Sequence, residues 1–205
     1  MRDRAINVGV LCVQGSFAEH ISKLKSLGAS VTEVRVPAQM DTIDAIVLPG
    51  GESTTFLKLI DLYQLREPMV RAIRGGLPVL ATCAGVVILA SRISSHSMKP
   101  LGVLDIELAR NAFGRQVDSF EEDVNIEGMA GPPFRGVFIR APIIRACGPS
   151  AEVLARLKDG TIVACRQNRI TAMSFHPEFV PDMRVHEDFL RLVDSARRER
   201  GTAST

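Results

Sequence analysis

Leu77-Pro78-Val79-Leu80-Ala81-Thr82-Cys83-Ala84-Gly85-Val86-Val87 decides the architecture of this chain. An apolar run suited to a strand buried on both faces meets a turn of small residues, and a second apolar run follows as a helix. Strand, sharp turn and helix with a nucleophilic side chain at the turn make a nucleophile elbow, which lifts the attacking atom above the carboxyl end of a sheet. Small neighbours suit such a turn because it leaves little room for Cβ atoms. The helix aims its first N–H groups at the Cys83 sulfur, which favours thiolate over thiol. The Ala84 N–H is placed to receive an oxyanion. The competing reading is a buried structural cysteine, the usual fate of a single Cys. The turn context favours the nucleophile.

On the N-terminal side of the elbow, strand-like and helix-like segments alternate. Residues 6–13 are a continuous apolar run, and 17–27 carry Phe17, Ile21, Leu24 and Leu27 at helical spacing with Gly28 as a stop. Strands follow at 31–36 and 45–48, helices at 53–62 and 68–73, the elbow strand at 77–81 and a helix over 86–90. This alternation predicts an α/β fold with a doubly wound, mostly parallel or mixed sheet flanked by helices. Beyond Gly102 the helical signal fades, and short β-prone runs occupy 103–108, 137–139, 143–146, 161–165 and 170–175. An amphipathic helix over 184–197 closes the chain, with Val185, Phe189, Leu192, Val193 and Ala196 on one side. No repeat and no linker interrupts this order. One domain is expected over 1–205, with a folded core at about 5–195 and a polar tail at 196–205.

Composition narrows the function. The 205 residues are 46% hydrophobic and 23% charged, as in an ordinary globular protein. Lys and Arg number 25 against 23 for Asp and Glu, a formal charge of +2 that supplies no basic face for nucleic acid or an anionic membrane. No stretch approaches the ~20 apolar residues of a membrane span, and a signal peptide is not expected, since Met1-Arg2-Asp3-Arg4 leads straight into a strand-like run with no cleavage site. The four cysteines, at 12, 83, 147 and 165, lack metal-type spacing and read as reduced thiols of a cytoplasmic protein. No metal or cofactor is implied. His20 reads as a surface or packing histidine, or as part of a partner interface, while His96 and His186 have no partner that sequence identifies.

Two further stretches bear on chemistry. Phe175-His176-Pro177-Glu178 follows a β-run. In extended backbone, residues i and i+2 share a side, so Glu178 would hold the His176 ring and stabilise its imidazolium. A thiolate acting on an amide needs such a proton carrier, because ammonia leaves well only when protonated. Leu48-Pro49-Gly50-Gly51-Glu52-Ser53 ends a strand in two glycines and opens a helix with Ser53 as its cap. Gly50 or Gly51 would offer a second oxyanion donor. The rival phosphate cradle lacks its glycine and lysine pattern.

Together, Gly50-Gly51-Glu52-Ser53-Thr54, Thr82-Cys83-Ala84-Gly85 and His176-Pro177-Glu178 resemble the class I, triad-type glutamine amidotransferases. Three more stretches are similar to the branch that serves pyridoxal phosphate synthases: 13–20, 110–116 with Ser119-Phe120-Glu121, and Phe138-Ile139-Arg140-Ala141-Pro142. The resemblance covers residues 6–192. It implies a flavodoxin-like fold, Cys83 as nucleophile, His176 as base and acid, and Glu178 as its orienting partner. It implies that Gly51, Glu52, Ser53, Arg110, Ile139 and Arg140 meet L-glutamine. An arginine suits the α-carboxylate by bidentate pairing, and the sequence leaves open which one. It implies, too, a separate synthase subunit that receives the ammonia in vitamin B6 biosynthesis. Alternatives are a glutaminase subunit for another synthase, a catalytically silent regulatory protein on the same scaffold, and a peptidase or small-molecule hydrolase with the same elbow. Ala81 departs from the glycine usual at its position, and the turn is expected to survive with slight strain.

Overall fold

The computed structural model describes residues 5–94, 98–109 and 119–202. The strand and helix alternation appears as read: β1 (Asn7–Leu11), α1 (Phe17–Ser26), β2 (Ser30–Val34), β3 (Ala45–Leu48), α2 (Ser53–Leu62), α3 (Arg66–Arg74), β4 (Val79–Thr82) and α4 (Ala84–Leu89). The β-rich half follows with β5 (Ala90–Ser94), β6 (Leu104–Ala109), β7 (Ser119–Val124), β8 (Phe134–Ile139), β9 (Ile143–Cys147), β10 (Glu152–Arg156), β11 (Ile162–Gln167) and β12 (Ile170–Met173). The closing helix α5 (Arg184–Thr202) runs past Arg197, where the apolar stripe ends.

A ten-stranded sheet has the order β2-β1-β3-β4-β12-β11-β9-β6-β5, with β10 also paired to β11. From β2 to β12 every neighbouring pair is parallel. From β12 through β11 and β9 to β6 the pairing is antiparallel, and β5 runs parallel to β6 at the far edge. β7 and β8 form a separate antiparallel hairpin. Both faces of the inner parallel strands β1, β3, β4 and β12 are covered, which explains their apolar sequences. Ile46, Leu48, Val79 and Ala81 face a core shared with Phe56, Ile60 and Met69 of α2 and α3. Ala45, Val47 and Leu80 point the other way, to Leu24 of α1 and Phe189 and Val193 of α5.

Three strands have no counterpart in the sequence reading. β5 follows α4 without a break, so the apolar helix pattern hides it. β7 carries three acidic residues, two of which pair with Arg135 across the exposed hairpin. The pairing of β10 with β11 is broken by register shifts.

The topology makes a site. β4 and β12 are adjacent and parallel, with Thr82 opposite Met173, so Cys83 and the 174–178 segment leave the sheet side by side. β3 runs parallel beside β4 with Leu48 opposite Ala81, which brings Gly50 and Gly51 to the same edge. β1 adds Gln14 and Ser16. Ligands of open α/β sheets bind at this carboxyl edge.

Candidate active site

Cys83 takes φ +46° and ψ −108°, a conformation that costs a non-glycine residue about 1–3 kcal/mol and clusters at functional sites. The surrounding structure enforces it. The Cys83 N–H donates to Met173 O at 2.8 Å and the Cys83 carbonyl accepts from Val86 N–H at 3.0 Å, so the turn is tied to β12 on one side and to α4 on the other. Gly85 has no room for a side chain, since a Cβ there would lie 2.1 Å from Leu48 O. Ala81 is a buried ladder residue of β4, and the unusual φ falls two residues later, on Cys83 itself.

The histidine and glutamate meet as expected, by a different local route. Residues 177–179 form a short 3-10 turn instead of extended chain, and His176 caps it. The His176 Nδ1 nevertheless lies 2.7 Å from Glu178 Oε1, the Cys83 thiol donates to Ile139 O at 3.7 Å, and the sulfur is close enough to the ring to favour its charged form. Burial opposes charge on this imidazole, but the sulfur and Glu178 overcome it and push its pKa up to about 10. Burial likewise opposes charge on Glu178. The flanking His20 and His176 rings overcome it and hold the carboxyl well below the usual carboxylate range. Phe179 stacks on the His176 ring at 5.0 Å and 19° between planes. Gly50 must be glycine here, because a Cβ would lie 2.2 Å from His176 Cε1.

A cavity of about 290 Å³, at the small end of ligand pockets, opens over this group. Nine residues singled out in the sequence line it: Gly50, Gly51, Glu52, Ser53, Cys83, Ala84, Ile139, Arg140 and His176. Glu178 lies behind His176, out of the cavity. Arg110 lies outside the described residues. Arg140 has φ +44° and, among the described residues, no ion-pair partner. One detail of the sequence reading is corrected. The cap of α2 is Glu52, whose side chain accepts from Thr54 N–H at 3.3 Å, while Ser53 is the first helical residue and is buried.

Sequence reasoning missed a layer of support. Gln14 Oε1 accepts from Glu52 N–H at 2.9 Å, which steadies the glycine loop. Ser16 N–H donates to Gly50 O at 3.0 Å, and its hydroxyl donates to Glu178 Oε1 at 2.7 Å. His20 is wholly buried, not a surface residue. All three lie in the 13–20 stretch that carries part of the resemblance, so the signal was present without an assignable role.

A strained cysteine at the carboxyl edge of an α/β sheet, with a histidine and a carboxylate aligned behind it, is a cysteine-nucleophile hydrolase arrangement. Residues 10–195 match the SNO glutamine amidotransferase family, and the chain belongs to that family. It is 50% identical over 185 residues to the pyridoxal 5'-phosphate synthase subunit PdxT of Pelotomaculum thermopropionicum, covering 90% of this chain and 94% of that protein. The subunit of the same name from Rhodococcus jostii is 46% identical over 194 residues, covering 91% and 96%. A crystal structure of a glutamine amidotransferase superposes with a TM-score of 0.86 at 46% identity, over 91% of this chain and 98% of that one. PurLQS from Thermotoga maritima shares the fold alone, with a TM-score of 0.68 at 15% identity over 92% of this chain and 99% of that one.

Proposed function

We propose that the protein hydrolyses L-glutamine to L-glutamate and ammonia through a Cys83-His176-Glu178 triad. The observation that carries this reading is the left-handed Cys83 facing the cavity, with the His176–Glu178 pair at 2.7 Å behind it. The Cys83 sulfur attacks the side-chain amide carbon of glutamine as a thiolate. The N–H groups of Ala84 and of Gly50 or Gly51 receive the oxyanion. The His176 imidazolium, favoured by the raised pKa, gives its Nε2 proton to the amide nitrogen, and ammonia leaves as the C–N bond breaks. Neutral His176 then takes a proton from water. The hydroxide adds to the γ-glutamyl thioester, and its collapse frees glutamate and the Cys83 sulfur. Gly51, Glu52, Ser53 and Ile139 line the glutamine site, and Arg140, with no carboxylate partner among the described residues, joins Arg110 as a candidate for the α-carboxylate.

The acceptor of the ammonia is a separate synthase subunit that makes pyridoxal 5'-phosphate. The name shared by the relatives at 43–50% identity, pyridoxal 5'-phosphate synthase subunit PdxT, supports this, and so does chemistry. Free ammonia at neutral pH is mostly unreactive ammonium, so direct delivery is advantageous. The setting is cytoplasmic. All four cysteines are free thiols, and among the described residues no helix is long and apolar enough to cross a membrane.

Glutamine turnover, measured with the synthase of the same organism, tests the reading. Cys83→Ala is expected to abolish ammonia release while the fold persists, and undiminished release would refute the nucleophile. Transfer of amide nitrogen from labelled glutamine into pyridoxal 5'-phosphate, with no transfer when the chain is omitted, tests the acceptor.

A further inference from the structure

Behind the triad lies a second layer of buried titratable groups that the reaction above does not use. His20 of α1 and His186 of α5 are both fully buried, and His20 Nδ1 lies 3.0 Å from His186 Nε2. His20 Nε2 lies 3.2 Å from Thr82 Oγ1, at the end of the elbow strand, and 3.3 Å from Glu178 Oε2. Glu178 Oε1 is doubly served, by His176 and Ser16, whereas Oε2 is buried and has no other donor among the described residues. The contact at 3.3 Å is an ion-pair distance with imperfect hydrogen-bond alignment, as expected of one N–H shared between Thr82 and Glu178.

Lys23, one turn further along α1, fixes the other end of the segment. Its Nζ donates to Val180 O at 2.5 Å and to Asp182 O at 2.9 Å. Ser16, at the N-cap of α1, and His20 and Lys23 within it therefore present three groups to the stretch that carries His176 and Glu178.

We propose that His20 is a positioning residue for the triad, holding Glu178 through an Nε2–H that His186 keeps in place. The proton assignment follows from elimination. If neutral His20 carried its proton on Nδ1, its Nε2 lone pair would face the carboxylate and leave Oε2 without a donor, at a cost of about 1–3 kcal/mol. Nε2 therefore carries a hydrogen. Burial above all, with the Lys23 ammonium nearby, holds His186 neutral, its pKa pushed down to about 3. A neutral His186 has one proton and two nitrogens, and its Nδ1 has no partner among the described residues. An orphaned acceptor is better tolerated than an orphaned N–H. The proton thus sits on Nε2 and points into His20 Nδ1, which fixes the His20 proton on Nε2. The chain runs from His186 to His20 to Glu178, and the carboxylate so held orients His176.

This inference rests on the triad reading for its effect on rate, but its proton pattern is measurable without turnover. Nitrogen-15 NMR of the histidine-labelled full chain at neutral pH, assigned with a His186→Gln variant, reads the tautomers directly. The expected result is His20 protonated at Nε2 and bare at Nδ1. A proton on His20 Nδ1 in any state overturns the proposal. Kinetics with the synthase supply the second arm. His20→Leu is expected to lower kcat about 10- to 100-fold with KM for glutamine changed less than about twofold, and His20→Gln, which restores an N–H at that place, recovers most of the loss. A wild-type kcat in His20→Leu, or equal losses in Leu and Gln, contradicts it. Should the unsubstituted protein turn over no glutamine while NMR finds the Nε2 proton, the function falls and the positioning chain stands.

Discussion

The front and the back of the site are built by opposite means. The front is local: eleven consecutive residues of strand, turn and helix put Cys83 in a left-handed conformation, and its supports, Gly85 and the β4–β12 pairing, are backbone features. The back is long-range. Glu178 is held by side chains 158 to 162 positions away along the chain, from an α1 that shares no strand or turn with it. A locally encoded feature breaks sterically when a single atom is added, whereas a side-chain brace weakens by degrees.

The largest expected effect is at the front. Cys83→Ser should lower glutamine turnover at least about 10⁴-fold, with thermal unfolding unchanged within about two degrees. Gly85→Ala should destabilise the protein by about 3 kcal/mol, because the new methyl meets the rigid Leu48 carbonyl, and calorimetry would show a drop of roughly 6–12 °C. A stable Gly85→Ala would mean that the elbow is softer than its geometry implies. Gly50→Ala sits where front and back meet. Its methyl displaces the His176 ring, so kcat should fall about 100-fold with a smaller loss of stability.

The back should reveal itself through pH. The His186 ring stays neutral down to about 3, whereas the unfolded ring takes a proton below 6.5. Its contribution to stability is therefore present above 6.5 and lost as pH falls toward 3. His176 is the reverse case, with a contribution present below 6.5 and lost as pH rises through about 10. The depressed Glu178 adds to the acid limb below 4.5. Together these groups place a stability maximum near pH 6.5, with limbs no steeper than about 1.4 kcal/mol per pH unit per proton. Chemical denaturation of His186→Gln should flatten the acid limb between 6.5 and 4.5, and His176→Gln the alkaline limb. Unchanged limbs would contradict the buried charges. As the smallest effect, Arg135→Ala on the exposed hairpin should move Tm by no more than about one degree.

The same contrast explains what was legible in the sequence. The alternation of β1 to α4 shows in apolar runs because both faces of the inner parallel strands β1, β3 and β4 are buried, while only Val34 of the edge strand β2 is. Cys83 is readable because an elbow is a local pattern. The His176–Glu178 contact was anticipated from extended geometry, and a 3-10 turn delivers it instead, since Pro177 opens such a turn as readily as it stiffens a strand. His20 was not readable as part of the site, because its burial depends on α1 packing against the 177–179 turn and on a second histidine 166 positions away. Strand β7 escaped because its outward positions are Ser119, Glu121 and Asp123 on an exposed ribbon, and Glu122 interrupts the inward, apolar side.

Mass spectrometry of the chain treated with an electrophilic glutamine analogue, in the presence of the synthase, tests the central assignment most directly. A single adduct on Cys83, with Cys12, Cys147 and Cys165 unmodified and no adduct in Cys83→Ala, is the result the triad requires. Modification spread over the other thiols, or a Cys83 that stays unlabelled, would contradict it.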